Sequence, residues 1–329
     1  MVILWLPPHV DGASLFIVLI GALAIDAVAG DPAWLYRAVP HPVAILGRAI
    51  ALLDGRWNDL QATPATRRWL GALTVALVTV GAGGVAWALA YGLRHYSWGW
   101  GVEAVAASTL FAFRGLHDHV LGVASALDQG TEPGRRAVAG IVGRDPASLD
   151  GPGVARAAIE SAAENFADGV IAPAFWFLVA GLPGMAVYKA INTLDSMIGY
   201  PSPRYANFGR VAARLDDATN VLPARISGGL IVVAAAAIPG ASAASAWRTM
   251  VSCAPRHRSP NAGWPEAAMA GALGLALAGP RRYAGETVDD AWMGTGRRDA
   301  DSRDIRRALV VYLGAGAILL MLAATGLLV

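Results

Sequence analysis

The chain has 329 residues, of which 55% belong to the set AVILMFWYC and 15% are Asp, Glu, Lys or Arg, for a formal net charge of +2, and its mean hydropathy is +0.47. Globular chains carry about 25% charged residues, so there is too little polar surface here to coat a soluble body, and the near-neutral balance gives no reason to expect nucleic acid. Cys253 is the sole cysteine, which excludes an internal disulfide and a cysteine-based zinc site.

The composition is that of a membrane protein, and the chain reads as one integral membrane domain over residues 1–329. A crossing helix needs roughly 20 apolar residues. Ser14 to Ala29 carries one acid, Asp26, and has no Arg-rich leader or small-residue cleavage site, so it reads as a retained span. Leu70 to Leu93 has no charge, Trp98 to Phe113 holds Glu103, and Ala308 to Val329 closes the chain. Each is expected to cross.

Two further apolar regions are punctuated by Pro and Gly. Val170 to Ala180 meets Gly181-Leu182-Pro183-Gly184 and continues to Met197; Ile226 to Ala237 meets Ile238-Pro239-Gly240 and continues to Val251. Their short arms predict re-entrant or kinked helical hairpins. The fold class expected is all-α, a polytopic helical membrane protein with polar motif loops. Basic residues concentrate between the spans, at Arg37, Arg48, Arg56, Arg67 and Arg68 and again at Arg114, Arg135, Arg136 and Arg156, whereas the Tyr91–Gly101 turn has only Arg94. The positive-inside rule then turns the polar blocks toward the cytoplasm, with Trp98 and Trp100 in an interfacial belt.

Those blocks carry the chemistry. His41 stands between Pro40 and Pro42, so its imidazole is presented with little freedom, either for proton transfer or to bond a loop carbonyl. Glu160, Glu164 and Asp168 step by four, which on a helix gives an acidic face suited to Mg²⁺. Asn165 sits within that run. Lys189 is the only lysine among 26 basic residues, and with Asn192 and Asp195 it forms a ridge at i+3 steps. A compact ammonium there suits a phosphate or acyl phosphate. Asp216 and Asp217 are neighbouring carboxylates open to a shared metal, flanked by Arg214 and Arg225, whose guanidiniums suit phosphate or propionate. No phosphate-binding Walker loop, H-E-x-x-H or G-x-S-x-G motif occurs.

The runs Glu160–Gly169, Lys189-Ala190-Ile191-Asn192-Thr193-Leu194-Asp195-Ser196-Met197, Pro203-Arg204-Tyr205, Arg214-Leu215-Asp216-Asp217 and Ser259-Pro260-Asn261-Ala262-Gly263-Trp264-Pro265-Glu266, with Gly30-Asp31-Pro32 and His41-Pro42 before them, resemble the CobD/CbiB family of cobalamin biosynthesis, the adenosylcobinamide-phosphate synthases. The likeness runs in order over roughly residues 20–285.

The resemblance implies a multi-pass inner-membrane ligase with its active face cytoplasmic. It would join aminopropanol phosphate, or aminopropanol, to a propionate of adenosylcobyric acid, with ATP as co-substrate and Mg²⁺. Association with other cobalamin-pathway enzymes stays open. In this reading Glu160, Glu164, Lys189, Asp195 and His41 are catalytic. Asn165, Asn192, Arg204, Tyr205, Arg214, Arg225, Ser259, Asn261 and Glu266 bind substrate, and Asp168, Asp216 and Asp217 hold metal. A membrane phosphotransferase acting on a lipid and a corrinoid transporter are the alternatives.

Overall fold

A computed structural model describes residues 12–141, 146–200, 202–283, 286–288 and 290–327. The helices are α1 (Gly12–Ala29), α2 (Ala33–Ala38), α3 (Pro42–Trp57), α4 (Pro64–Leu93), α5 (Gly99–Ser108), α6 (Phe113–Leu127), α7 (Thr131–Val138), α8 (Gly151–Phe166), α9 (Ala172–Leu194), α10 (Arg210–Ala237), α11 (Ala243–Cys253), α12 (Gly263–Leu273) and α13 (Ser302–Thr325). Two antiparallel pairs of very short strands, Leu277–Ala278 with Trp292–Met293 and Arg281–Tyr283 with Glu286–Val288, lie before α13. The expected class holds: the protein is all-α and polytopic. Four helices among the described residues, Pro64–Leu93, Gly151–Gly199, Arg210–Ala237 and Ser302–Thr325, are long and apolar enough to cross a membrane, and Ser14–Ala29 is a shorter apolar one. Leu328 and Val329, expected in the last span, lie outside the described residues.

Helix starts follow local chemistry. Thr63 caps α4 by accepting the Thr66 amide at 3.2 Å, with Pro64 in the first turn. Asp150 accepts the Gly153 amide at 2.7 Å at the start of α8, and Ser242 accepts that of Ser245 at 3.2 Å in α11. In front of α13, Asp301 accepts the amides of Arg303 and Asp304 while Asp304 accepts that of Asp301, a reciprocal cap.

Two expectations change. Trp98 to Phe113 is no single span: α5 has 10 residues, about 15 Å of helix against some 30 Å of hydrocarbon. The hydroxyls of Ser108 and Thr109 bond back to the carbonyls of Val105 and Ala106, and the chain turns before α6. Second, Ile226–Ala237 is only the end of the 28-residue α10, which contains Pro223. The carbonyl that Pro223 leaves without its helical donor belongs to Thr219, and the Trp176 indole N–H takes it at 3.1 Å, so the helix continues. The expected break in α9 is present: its helical phase is interrupted at Ala180 (φ −144°, ψ 22°) and Gly181 (φ 63°, ψ −160°). A Cβ on Gly184 would stand 2.6 Å from the Trp176 carbonyl oxygen, whereas an unbroken helix would set residues eight apart about 12 Å from one another. The chain therefore doubles back there, as the Pro-Gly punctuation implied. The second punctuation behaves alike: Ala235 and Ala246 pack together across Gly240 (φ 79°).

Two compact units are present. The first comprises residues 1–112, 172–220 and 323–329; the second comprises residues 113–171 and 221–322. In the first, Ile50 of α3, Val75 and Val78 of α4, Ala190 and Leu194 of α9, and Phe208 form a buried cluster. In the second, α8 buries Ala155, Ala157, Ala158, Ala162 and Ala163 completely, and these small side chains allow the close approach of α6 and α12. In the same unit Phe113 stacks on Tyr312 and Phe166 meets Tyr312 edge-on.

Gly71 of α4 meets backbone directly, since a Cβ there would lie 1.9 Å from the Phe208 carbonyl oxygen, whereas Gly84 has nothing within 4 Å. Gly71→Val is expected to lower stability by about 1–3 kcal/mol and Gly84→Ala to leave it unchanged, measured by thermal unfolding in detergent.

Candidate functional site

In the first unit, the second arm of α9 and the start of α10 build a buried polar chain. Asn192 donates to Asp216 Oδ1 at 3.3 Å, Asn220 donates to Asp216 Oδ2 at 3.0 Å, and the Tyr188 hydroxyl donates to Asn220 Oδ1 at 2.9 Å. Tyr188 and Asn220 are each 1% exposed. Lys189 is half-buried, one turn before Asn192 and on its face of the helix. Asp195 opens a π-helical turn, Asp195–Gly199, that follows α9. Its carboxylate lies over the Cα of Gly199, where a Cβ would meet Oδ1 at 1.9 Å. π turns recur at functional sites, and Ala167–Ile171, which holds Asp168, is another. Asp217 is exposed, as is Arg214. Successive helical residues point about 100° apart, so Asp216 and Asp217 do not face each other.

A second network in that unit was not expected. Asp54 of α3 accepts Arg204 Nη2 at 2.7 Å, Asn58 Nδ2 at 2.7 Å and the Tyr205 hydroxyl at 3.3 Å. Arg67 holds Asn58 Oδ1 through Nε and Nη2, at 3.1 and 2.8 Å, and also donates to the Arg204 carbonyl. The Pro203-Arg204-Tyr205 loop is thus bolted to α3 and α4. Arg204 stays 45% exposed at its side chain, so part of its guanidinium fork faces outward.

His41 serves α3 first. Its Nδ1 accepts the Val43 amide at 3.1 Å and its Nε2 lies 3.3 Å from Asp31 Oδ1. The Tyr36 ring meets the imidazole edge-on at 4.5 Å. Burial, then the charge of Asp31 and a hydrogen bond to it, push the Tyr36 phenol up to about 12, so it stays protonated. Nδ1 is committed to the helix cap, and proton transfer by His41 would run through Nε2.

In the second unit, Glu160 is 3% exposed and accepts the Ala278 amide at 2.8 Å. Ala278 has φ 56°, the one positive value at a non-glycine among the described residues, so this carboxylate holds a strained turn in place. Glu164 is exposed and Asp168 half-buried. The even acidic face expected from steps of four is broken, because Asp168 sits in the π turn and Glu160 points into the protein. Asn165 donates to the Ser161 carbonyl and hydroxyl oxygens, at 2.9 and 3.1 Å.

Before α12, Ser259 Oγ accepts the amides of Asn261 and Ala262, both at 3.2 Å, and His257 Nδ1 accepts that of Ser259 at 3.0 Å. His257 Nε2 is 3.7 Å from the buried Glu266 Oε2. Asn261 is buried, and Arg225 stacks on Trp264 at 4.5 Å. Ser259 therefore shapes the loop that carries Asn261 and Glu266.

Among the described residues, no three His, Cys, Asp or Glu side chains gather as a metal cage. The donor set fits Mg²⁺ only in the manner that ion prefers, with one or two carboxylates and substrate phosphates completing its shell. Sequence reasoning passed over Asp54, Asn58 and Tyr188; the i,i+4 spacing of Asp54 and Asn58 was the available signal.

The family described as CobD/Cbib protein matches residues 19–312. The cobalamin biosynthesis protein CobD of Brucella suis biovar 1 is 52% identical over 303 residues, 90% of this chain and 92% of that protein. The protein of the same name from Sinorhizobium sp is 48% identical over 315 residues, 92% of this chain and 95% of its own. The one from Rhodobacter capsulatus is 47% identical over 300 residues, covering 90% and 92%. No solved structure matches.

The Asp54 network carries its own test. Asp54→Ala removes the acceptor of three donors and should cost about 2–3 kcal/mol. The measurement is a lowered Tm in detergent together with faster proteolysis at the Arg204 loop.

Proposed function

Because the chain belongs to the CobD/CbiB family, and so to the enzymes of cobalamin biosynthesis, we propose that it forms the amide between a propionate carboxyl of adenosylcobyric acid and aminopropanol phosphate. A carboxylate is a poor electrophile. Transfer of a phosphoryl group from ATP gives an acyl phosphate and ADP. The amine then attacks the acyl carbon, the C–O bond to phosphate breaks, inorganic phosphate leaves, and the amine's proton passes to a base. Free aminopropanol is the alternative nucleophile.

The observation that carries this reading is the frame around Asp216, a carboxylate fixed by Asn192 of α9, the helix that bears the only lysine, and by Asn220 of its own helix α10. Lys189 would hold a phosphoryl oxygen, with Arg214, Arg225 and the open side of Arg204 as further cations for phosphate or propionate. Glu164 and Asp195 are the candidates to take the proton, and His41 through Nε2 a further one. Mg²⁺, where bound through Asp216, Asp217 or Asp168 and substrate phosphate, would offset charge on the transferring oxygens. Glu160, Asn165, Ser259, Asn261 and Glu266 would shape the surface that meets the corrinoid. The Arg distribution supports an inner-membrane setting with these groups on the cytoplasmic side.

Purified chain in lipid nanodiscs with adenosylcobyric acid, aminopropanol phosphate, ATP and Mg²⁺ should yield the corrinoid amide with ADP and phosphate. Corrinoid accumulation in proteoliposomes without any amide would mean transport, and phosphoryl transfer to lipid alone would mean a lipid phosphotransferase. Glu164→Gln is expected to abolish turnover while insertion stays intact. Lys189→Arg should lower kcat by roughly tenfold to a hundredfold, since a planar fork cannot replace a compact ammonium; full activity in either variant refutes its role.

A further inference from the structure

The first unit contains two adjoining cavities that the proposed chemistry does not use. One, of about 540 Å³, is lined by Trp87, Tyr91, Arg94, Trp100 and Glu103 together with the turn of α9 at Gly181. The other, of about 640 Å³, is a groove between α3, α4, α5 and the second arm of α9, with walls such as Ile45, Leu77, Val85, Val105 and Ala186 and almost no polar surface. Leu182 lines both.

Their depths follow from α4. It has 30 residues, about 45 Å of helix against some 30 Å of hydrocarbon. Arg67 and Arg68 lie near its start, its C-cap is Arg94, and the stretch from Leu70 to Leu93 holds no charge. Arg94 therefore stands at one membrane–water boundary. Tyr91, Tyr96, Trp98 and Trp100 are each at least half exposed around it, as an aromatic belt requires. The mixed cavity is thus at headgroup depth. The groove follows α4 inward from Leu89 to Leu77, about 18 Å of helix, which is the scale of an acyl chain.

Charge narrows the occupant. Arg94 alone would suit any anionic headgroup. Glu103 lines the same cavity as Arg94, so a second negative charge on the ligand meets repulsion from its carboxylate. A phosphate beside Arg94 and a primary ammonium beside Glu103 satisfy both, with Trp87, Tyr91 and Trp100 offering π faces to the cation. We propose that this pair of cavities is a binding site for one membrane phospholipid with a zwitterionic phospho-amine headgroup, its acyl chain lying in the α3–α4–α5 groove. The site stands apart from Lys189 and Asp216 in its residues, so lipid retention reads it independently of amide formation.

The test is native mass spectrometry of the full chain released from nanodiscs made with equal parts phosphatidylethanolamine, phosphatidylcholine and phosphatidylglycerol. Phosphatidylethanolamine is expected to be retained over the other two. Glu103→Gln and Arg94→Gln should each reduce that preference roughly tenfold, the worth of one charge-assisted hydrogen bond. Leu182→Trp, which fills the junction, should lower retention of all lipids while the protein stays monodisperse. Equal or better retention of phosphatidylglycerol overturns the zwitterion, and equal retention of phosphatidylcholine overturns the primary amine. Free O-phosphoethanolamine should not compete at concentrations matching the lipid; competition there would make the occupant a soluble amino-alcohol phosphate and overturn the lipid assignment.

Discussion

A carboxylate withdrawn from water into an apolar helical body is tolerable only where donors surround it, because each unsatisfied buried charge costs several kcal/mol. This chain has few charges, and it places several in that position. Asp54, Glu160 and Asp304 are all less than 9% exposed. Asp54 is met by an amide, a guanidinium and a phenol, Glu160 by a backbone N–H, and Asp304 by Arg297, Arg307 and the Asp301 amide. Asp216 is met by two asparagines. In most of these pairs the donor comes from a different element than the acid, so satisfying the charge also fixes a loop. The polar motif segments are ordered by this need rather than by apolar packing of their own.

The same need explains what a linear reading can reach. Helical class and the long apolar stretches are legible because they rest on periodicity and length, which are local. The end of α5 is not, since hydroxyls of Ser108 and Thr109 turn the chain inside an uninterrupted apolar run. Pro223 illustrates the reverse case. A proline ordinarily punctuates a helix, yet the Trp176 indole, 43 residues earlier in sequence, satisfies the carbonyl that the proline frees. No rule over neighbouring residues anticipates a donor from so far away.

The candidate residues divide along that line. Lys189 and Asn192 could be paired from spacing alone, and the structure keeps them on one face of α9. Arg204 was legible as a cation, but its partner Asp54 lies 150 residues away, so its loop-fixing role was hidden. Steps of four among Glu160, Glu164 and Asp168 presumed unbroken α geometry. The π turn that begins at Ala167 changes the hydrogen-bond register there, and the three acids meet three different environments. Ser259 reads as a substrate contact in a polar motif, whereas its hydroxyl is engaged by two backbone amides of its own loop. Polar residues in loop motifs commonly serve the backbone first.

The solitary lysine can be argued from the same frame. Arginine fills every other basic position, so composition alone would place a guanidinium at residue 189. A guanidinium presents five N–H donors in a rigid plane and seeks a carboxylate bidentately. One turn along α9, Asn192 donates to Asp216, whose other oxygen takes Asn220, itself bonded by Tyr188. An arginine beside that chain would compete with the two amides for the carboxylate and draw Asp216 out of its frame. An ammonium is a point charge on a flexible stem, and it can lie beside the asparagine without claiming the acid bidentately. The amide-held aspartate and the lysine one turn before Asn192 then belong to one arrangement, in which Asp216 is satisfied by neutral donors from two helices.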